Sequence, residues 1–180
     1  MKRISKILFT LGLILILGSV SLNMHTKYKQ NQAKNNFNQK IENDEEIKNI
    51  NLGDEIGLID IPSLNISTAI VSGTGKEQIR YYVGHFENTP MPGENGNFCI
   101  AGHSSTIYNN IFNDLHKIKI NDEIVITTSN GEFTYIVNEK FETDPTNMDV
   151  LNQDNDIKEL TIVTCSNQGK DRLIVKGRLK

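Results

Sequence analysis

The 180-residue sequence contains no tryptophan and only two cysteines, Cys99 and Cys165. Two cysteines are too few for a disulfide scaffold, and no Cys-x-x-Cys or Cys/His spacing marks a zinc site. Both cysteines end or interrupt apolar runs of the kind that become buried strands, so a bridge between them is not the expected arrangement, even in an oxidising compartment. No block of lysines and arginines is long enough to track a nucleic acid, and the net charge is −3, so no nucleic-acid partner is expected. Gly75-Lys76 fails as a phosphate loop, because Ile70 and Glu77 stand where the pattern needs glycine and a hydroxyl residue. No pair of carboxylates stands out for glycoside chemistry. No metal and no cofactor is expected.

What is present begins with Lys2, Arg3 and Lys6, followed by an uncharged run from Ile7 to Leu22. A basic start and an apolar segment direct a chain to a membrane. The run lies between a signal-peptide core of about 7–15 residues and a spanning helix of roughly 20. Ser19 and Ser21 are small enough for a cleavage site, but no Ala-x-Ala pattern occurs and the run extends through Asn23 and Met24. Retention as an anchor over residues 1–24 is therefore expected. The leading positive charges hold the N-terminus in the cytoplasm and place all that follows Leu22 outside. Residues 25–51 are rich in Lys, Asn, Gln and Glu. Tyr28, Phe37, Ile41 and Ile47 form no continuous face, so this part is expected as a flexible polar stalk, with Asp44–Glu46 solvated. A short helix over Gln39–Lys48 is the alternative.

From Leu52 the texture changes to short β-rich runs. Gly57–Pro62 and Asn65–Val71 predict a hairpin. Lys76–Val83 predicts two helical turns stopped by Gly84, and Asn88–Gly93 a loop. A strand from Asn97 ends at His103. Ile111–Ile118 has apolar residues at helical spacing. Asp122–Ser129 and Glu132–Phe141 flank Asn130-Gly131, the strongest short hairpin signal in the chain. Asp144–Asp156 is a polar loop with a turn of helix near Met148–Leu151. Leu160–Cys165 and Arg172–Leu179 predict a closing hairpin. Many short strands with little helix predict an antiparallel sandwich or barrel over residues 52–180, large enough for a sound core.

Three side chains suit cysteine-based acyl transfer, which needs a thiolate, a proton donor and a group to hold the oxyanion. A cysteine in an apolar run is commonly inert core. Cys165 differs in sitting at a strand end before the polar Ser166-Asn-Gln-Gly169. Cys99, between Phe98 and Ile100, reads as core, although it shares strand parity with His103. His103 lies where a strand passes into a loop. His85 is a second candidate near a site and reads as structural. His25 and His116 are given no role. Arg172 starts the strand that returns beside Cys165, whereas Arg178 lies roughly 20 Å further at about 3.3 Å per residue. Arg80, from another region, stays open on spacing alone. Arginine suits the oxyanion role because it remains charged and offers several donors.

Taken together, Thr161-Ile-Val-Thr-Cys165, Ala101-Gly-His-Ser104 and Asp171-Arg-Leu-Ile-Val175 resemble the sortases, membrane-anchored cysteine transpeptidases of Gram-positive bacteria. Ile162 departs mildly from the usual Thr-Leu-x-Thr-Cys. The resemblance continues through Gly57–Pro62, Gly84-His-Phe86 and Pro92–Asn97, in order, over residues 52–180. It implies a mostly β fold: the closed eight-stranded sortase barrel with a few short helices, preceded by one N-terminal membrane helix. It implies Cys165 as nucleophile, His103 as general acid/base and Arg172 as stabiliser of the oxyanion or the bound peptide. It implies surface proteins with signals like Leu-Pro-x-Thr-Gly as substrates, cleaved between Thr and Gly, and a peptidoglycan precursor or other amine as acceptor. The short Cys-to-Arg spacing, the Gly-His-Phe segment and the lack of a hydrophobic segment after the barrel resemble class D. Calcium-binding acidic residues of some class A members find no counterpart.

Two rival readings stand beside this one. A membrane-anchored cysteine endopeptidase would use water as acceptor; the papain-like order, Cys before His, is reversed here. A tethered β-domain that only binds peptides would need none of the three residues for chemistry. The loop Asp144–Asp156 is expected to border the peptide groove.

Overall fold

The computed structural model describes residues 2–43, 50–104 and 109–180. One helix, α1, runs from Lys2 to Glu42. Eight strands follow: β1 (Glu55–Ile61), β2 (Ile66–Ser72), β3 (Val83–His85), β4 (Gly96–Ala101), β5 (Glu123–Thr128), β6 (Gly131–Thr143), β7 (Lys158–Ser166) and β8 (Asp171–Leu179). They close into a barrel in the order β1-β2-β3-β4-β7-β8-β6-β5. The expected closed eight-stranded barrel is what the chain forms.

Strand alternation builds the core. In β4 and β7, Phe98, Ile100, Leu160 and Ile162 point into the barrel with Ile59, Ile61, Ile70, Ile124, Ile126, Val137 and Val175. Each such side chain contributes on the order of 1.5–3 kcal/mol when fully buried. The two predicted hairpins at β1/β2 and β5/β6 form in antiparallel register. Asn65 takes a left-handed conformation (φ 57°) to close the first, a geometry that asparagine tolerates.

Four local expectations differ from the structure. The barrel is mixed, not antiparallel throughout: β2/β3 and β4/β7 are parallel pairs. Alternation reports which face a residue takes, and is silent on the sense of strands joined by long crossovers. Helix α2 is one turn, Lys76–Ile79, and Val83-Gly84-His85 is a strand, so Gly84 is not a helix stop. A Cβ there would lie 2.3 Å from the Gly73 carbonyl, which is why a glycine lets this short strand approach. Ile111–Ile118 forms turns with a 3-10 segment at Leu115–Lys117, its buried residues Phe112, Leu115 and Ile118 recurring every third position. The fourth difference is α1. The segment expected as a flexible stalk is, as far as Glu42, the second half of one continuous helix. Ala33 and Phe37 are buried against Leu58, Ala69 and Tyr82, outward-facing residues of the barrel. Gln30 donates to the Tyr81 carbonyl (3.0 Å), Lys34 meets Ser67, and Lys40 pairs with Glu55 (2.9 Å). Asp44–Glu46, Ile47 and the end of the alternative helix lie outside the described residues.

The first half of α1 is apolar and exposed, from Ile4 through Met24. It is the one helix among the described residues long and apolar enough to cross a membrane.

Candidate active site

The parallel pairing of β4 with β7 builds the site. Parallel strands end at the same rim, and the register Cys99↔Thr161, Ile100↔Ile162, Ala101↔Val163, continued two steps, sets His103 beside Cys165. Three hydrogen bonds carry the pairing past the end of β4. The Gly102 amide donates to the Val163 carbonyl (3.2 Å), the Thr164 hydroxyl to the Gly102 carbonyl (2.7 Å), and the Ser104 hydroxyl to the Cys165 carbonyl (2.6 Å). On the other side of β7, antiparallel β8 pairs Cys165 with Arg172, and β6 pairs Arg172 with Thr143. His103, Cys165 and Arg172 thus occupy one row across neighbouring strands. Residues in such a row share a face of the sheet.

The row opens into a cavity of about 850 Å³. His103, Ser104, Cys165, the turn Ser166–Gly169, and Phe112, Asn113 and His116 line it, with Glu142, Thr164 and Leu173. Cys165 is partly exposed there. Burial holds the His103 imidazole below its ordinary pKa of 6.5 by disfavouring the charged form. Arg172 does not line the cavity; its Nη1 donates to the carbonyls of Gly169 and Asp171, both at 3.2 Å. That turn has three successive residues at positive φ, Asn167 (45°), Gln168 (58°) and Gly169 (89°). Two of them are not glycine, a conformation costing about 1–2 kcal/mol per residue.

The other cysteine and the other buried histidine are held elsewhere. Cys99 is fully buried and its thiol is pushed up to about 12 by desolvation. It shares the outward parity of His103, but Asn97, two residues before it, pins the 144–157 loop to that face through the Val150 and Asn152 carbonyls (3.0 and 3.3 Å). No residue of Asp144–Asp156 lines the cavity. His85 is buried in β3, bonded to the Thr89 hydroxyl (3.0 Å) and tilted against Phe98. That hydroxyl also lies 2.8 Å from the Phe86 carbonyl. Arg178 lies opposite Glu159, at the far end of β7, and Arg80 lies before β3.

Sequence reasoning missed part of the wall. His116 lines the cavity, and its Nδ1 lies 2.9 Å from the Asn113 carbonyl. The Oδ1 of Asn113 and the Oγ of Ser166 are buried without a hydrogen-bond partner. Ser166, next to Cys165, was within reach of a reading that extended the motif by one residue. Asn113 and His116 had no local signal.

The profile of the sortase domain matches residues 59–180. The chain is 29% identical to Sortase D of Bacillus subtilis over 140 residues, covering 78% of this chain and 64% of that protein. It is 26% identical to Sortase A of Streptococcus agalactiae over 133 residues, covering 69% of this chain and 53% of the relative. The chain therefore spans between about half and two thirds of the length of these two relatives. Among solved structures it is similar to a Clostridium perfringens Sortase D5 transpeptidase, with 46% identity and a TM-score of 0.75, covering 89% of this chain and 99% of that one. Sortase C from Clostridium perfringens SM101 matches at 28% identity and a TM-score of 0.65, over 83% of this chain and 86% of that one.

Proposed function

The chain belongs to the sortase family, and from that premise we propose that it is a membrane-anchored cysteine transpeptidase of the class D type. The observation that supports this reading is the row of His103, Cys165 and Arg172 across neighbouring strands, with His103 and Cys165 opening into one cavity. The Cys165 thiolate attacks the scissile Thr carbonyl of a signal similar to Leu-Pro-x-Thr-Gly. Arg172 turns a guanidinium N–H toward the oxyanion that forms. His103, as imidazolium, gives its proton to the departing Gly amine, leaving a Cys165 thioester. A peptidoglycan precursor or other amine then attacks the thioester. His103 takes the proton from the attacking nitrogen, the new amide forms and the thiolate leaves. The exposed apolar half of α1 anchors the chain, with residues 52–180 as the catalytic domain on the outer side.

The test is the full chain with a fluorogenic sorting peptide, with and without an amine. A joined product that requires Cys165, lost in Cys165→Ala, is expected. Fast hydrolysis with no joined product under saturating amine would replace the transpeptidase reading with an endopeptidase. Unchanged activity after Cys165→Ala would favour a peptide-binding domain.

A further inference from the structure

We propose that the catalytic rim of the barrel faces the membrane and rests on its lipid headgroups through Arg80 and Tyr81, just before β3, and the adjoining part of α1. The inference rests on the membrane-anchored reading above and adds the orientation of its site.

The rims can be told apart by register. β3 runs antiparallel to β4, with Gly84 opposite Ala101. One step further, Val83 stands level with Gly102, so the residues just before β3 belong to the rim that carries His103. β2 runs parallel to β3, with Ile70 opposite Val83. Ser67, three residues earlier, therefore lies at that same rim. Glu55 begins β1 and pairs with Val71 near the end of β2, which places it toward the opposite rim.

Helix α1 descends between these two levels. The His25 ring meets Tyr81 edge-on at 5.9 Å, Gln30 reaches the Tyr81 carbonyl, and Lys34 reaches Ser67, all at the catalytic rim. Lys40 and Asn36 reach Glu55 at the other. Phe37 and Ala33 seat the helix between them. The end of α1 that enters the barrel contact first is thus the end nearest the apolar stretch. Leu22 closes the apolar run and His25 follows three residues later, about 4.5 Å along an unbroken helix at 1.5 Å per residue. A bilayer that holds Ile7–Leu22 brings its headgroups to the level of His25 and Tyr81.

The chemistry of that edge fits a lipid surface. Tyr28 is 64% exposed one turn beyond Met24. Tyr81 lies under Arg80, whose guanidinium is 5.5 Å from the ring centroid. Lys27 and Lys29 stand on that part of the helix, and Arg80 follows the α2 turn just before β3. Tyrosine rings with basic side chains at the end of an apolar helix are suited to anionic headgroups. A site held this way serves peptides and amines presented at the bilayer surface.

The full chain reconstituted in phosphatidylglycerol vesicles tests this, in a Cys165→Ala background with a fluorophore on Asn110→Cys, exposed beside Gln30 and Ser67 at the catalytic rim, or on Ser129→Cys. Ser129 is exposed in the β5/β6 turn, beside the β1 end that begins at Glu55. A headgroup spin-labelled lipid is expected to quench the label at position 110 several-fold more than the label at 129. Phe37→Ala is expected to shrink that difference and Phe37→Leu to restore most of it, with the far-ultraviolet melt confirming a folded barrel. Equal or reversed quenching overturns the orientation, as does absence of the chain from the vesicles. A difference untouched by Phe37→Ala overturns α1 docking as its cause. No step of the measurement uses catalysis, so its failure leaves the acyl-transfer reading standing, and loss of peptide cleavage leaves the depth result standing.

Discussion

Gly102 precedes His103, and replacing it by alanine is a sharp test of how the site is held. A Cβ on Gly102 would lie 2.6 Å from both Cδ2 and Cε2 of Phe112. Ordinary van der Waals contact begins at 3.4 Å, so the ring or the strand must give by close to an ångström. The ring has little room, since Phe112 is 1% exposed and packed in the barrel core. Its amide also donates to the His103 carbonyl (3.1 Å), so displacement of Phe112 pulls on the proposed acid/base residue itself. Gly102 is not at positive φ, so the cost is steric. Overpacking of this kind costs about 1–3 kcal/mol, and a misplacement near 1 Å at a catalytic group can cost about 10²-fold in rate. Gly102→Ala is therefore expected to lower the melting temperature by several degrees and peptide cleavage by one to two orders of magnitude. The double variant Gly102→Ala with Phe112→Leu should be less impaired than the two separate losses predict, because the smaller side chain relieves the clash. Full activity and stability in Gly102→Ala, or strictly additive losses in the double variant, would refute the reasoning.

Arg172→Ala is expected to cost about 10²–10³ in turnover, with Arg178→Ala close to wild type because it pairs at the far end of β7; equal effects in a peptide-cleavage assay would remove Arg172 from the site. Brief iodoacetamide treatment at neutral pH should add one group to the native protein, at Cys165, and two in denaturant, since Cys99 is buried with a thiol pushed up to about 12; mass spectrometry reads both numbers. His85 is buried and its pKa is lowered by desolvation, so the folded state binds its proton less readily than the unfolded state. Its contribution is whole above the unfolded value near 6.5 and is lost as pH falls through the lowered folded value. The melting temperature should therefore drop on acidification below about pH 6.5, and less steeply in His85→Gln. Breaking the largely buried Lys176–Glu159 pair (2.6 Å) with Lys176→Met leaves a buried carboxylate without its ion-pair partner. A loss of about 3–5 kcal/mol in a urea melt is expected, where a loss under 1 kcal/mol would mean that water reaches Glu159.

The closing hairpin was legible because everything it needs is local. Six residues separate Cys165 from Arg172, and a short antiparallel turn has to bring such ends together. The same locality explains the hairpins at β1/β2 and β5/β6. The helical half of residues 25–42 was hidden for a physical reason. Its contact stripe, Gln30-Ala33-Phe37-Lys40, repeats every three to four residues, but only Ala33 and Phe37 in it are apolar. The rest of the docking comes from hydrogen bonds and an ion pair, to which hydrophobic periodicity is blind. The partner socket is equally quiet, since Leu58 and Ala69 merely continue apolar strands and only the register shows that they face outward together. His103 is the intermediate case. Its position at a strand end was readable, but its partner was not, because β4 and β7 are parallel neighbours joined across 56 residues. What brings the imidazole to the thiol is a constant offset of 62 in the β4/β7 register, extended by the hydrogen bonds of Gly102, Ser104 and Thr164. A slip of one residue in that pairing would turn His103 to the other face of the sheet from Cys165. The buried Thr161–Asn97 hydrogen bond (2.7 Å) ties the same two strands near their start, where a slip would leave both polar groups unpaired. The threonines of the Thr161-Ile-Val-Thr-Cys165 run therefore have a mechanical reason to be there: one locks the start of the parallel pair, the other its end, and together they fix the level at which the cysteine meets the histidine.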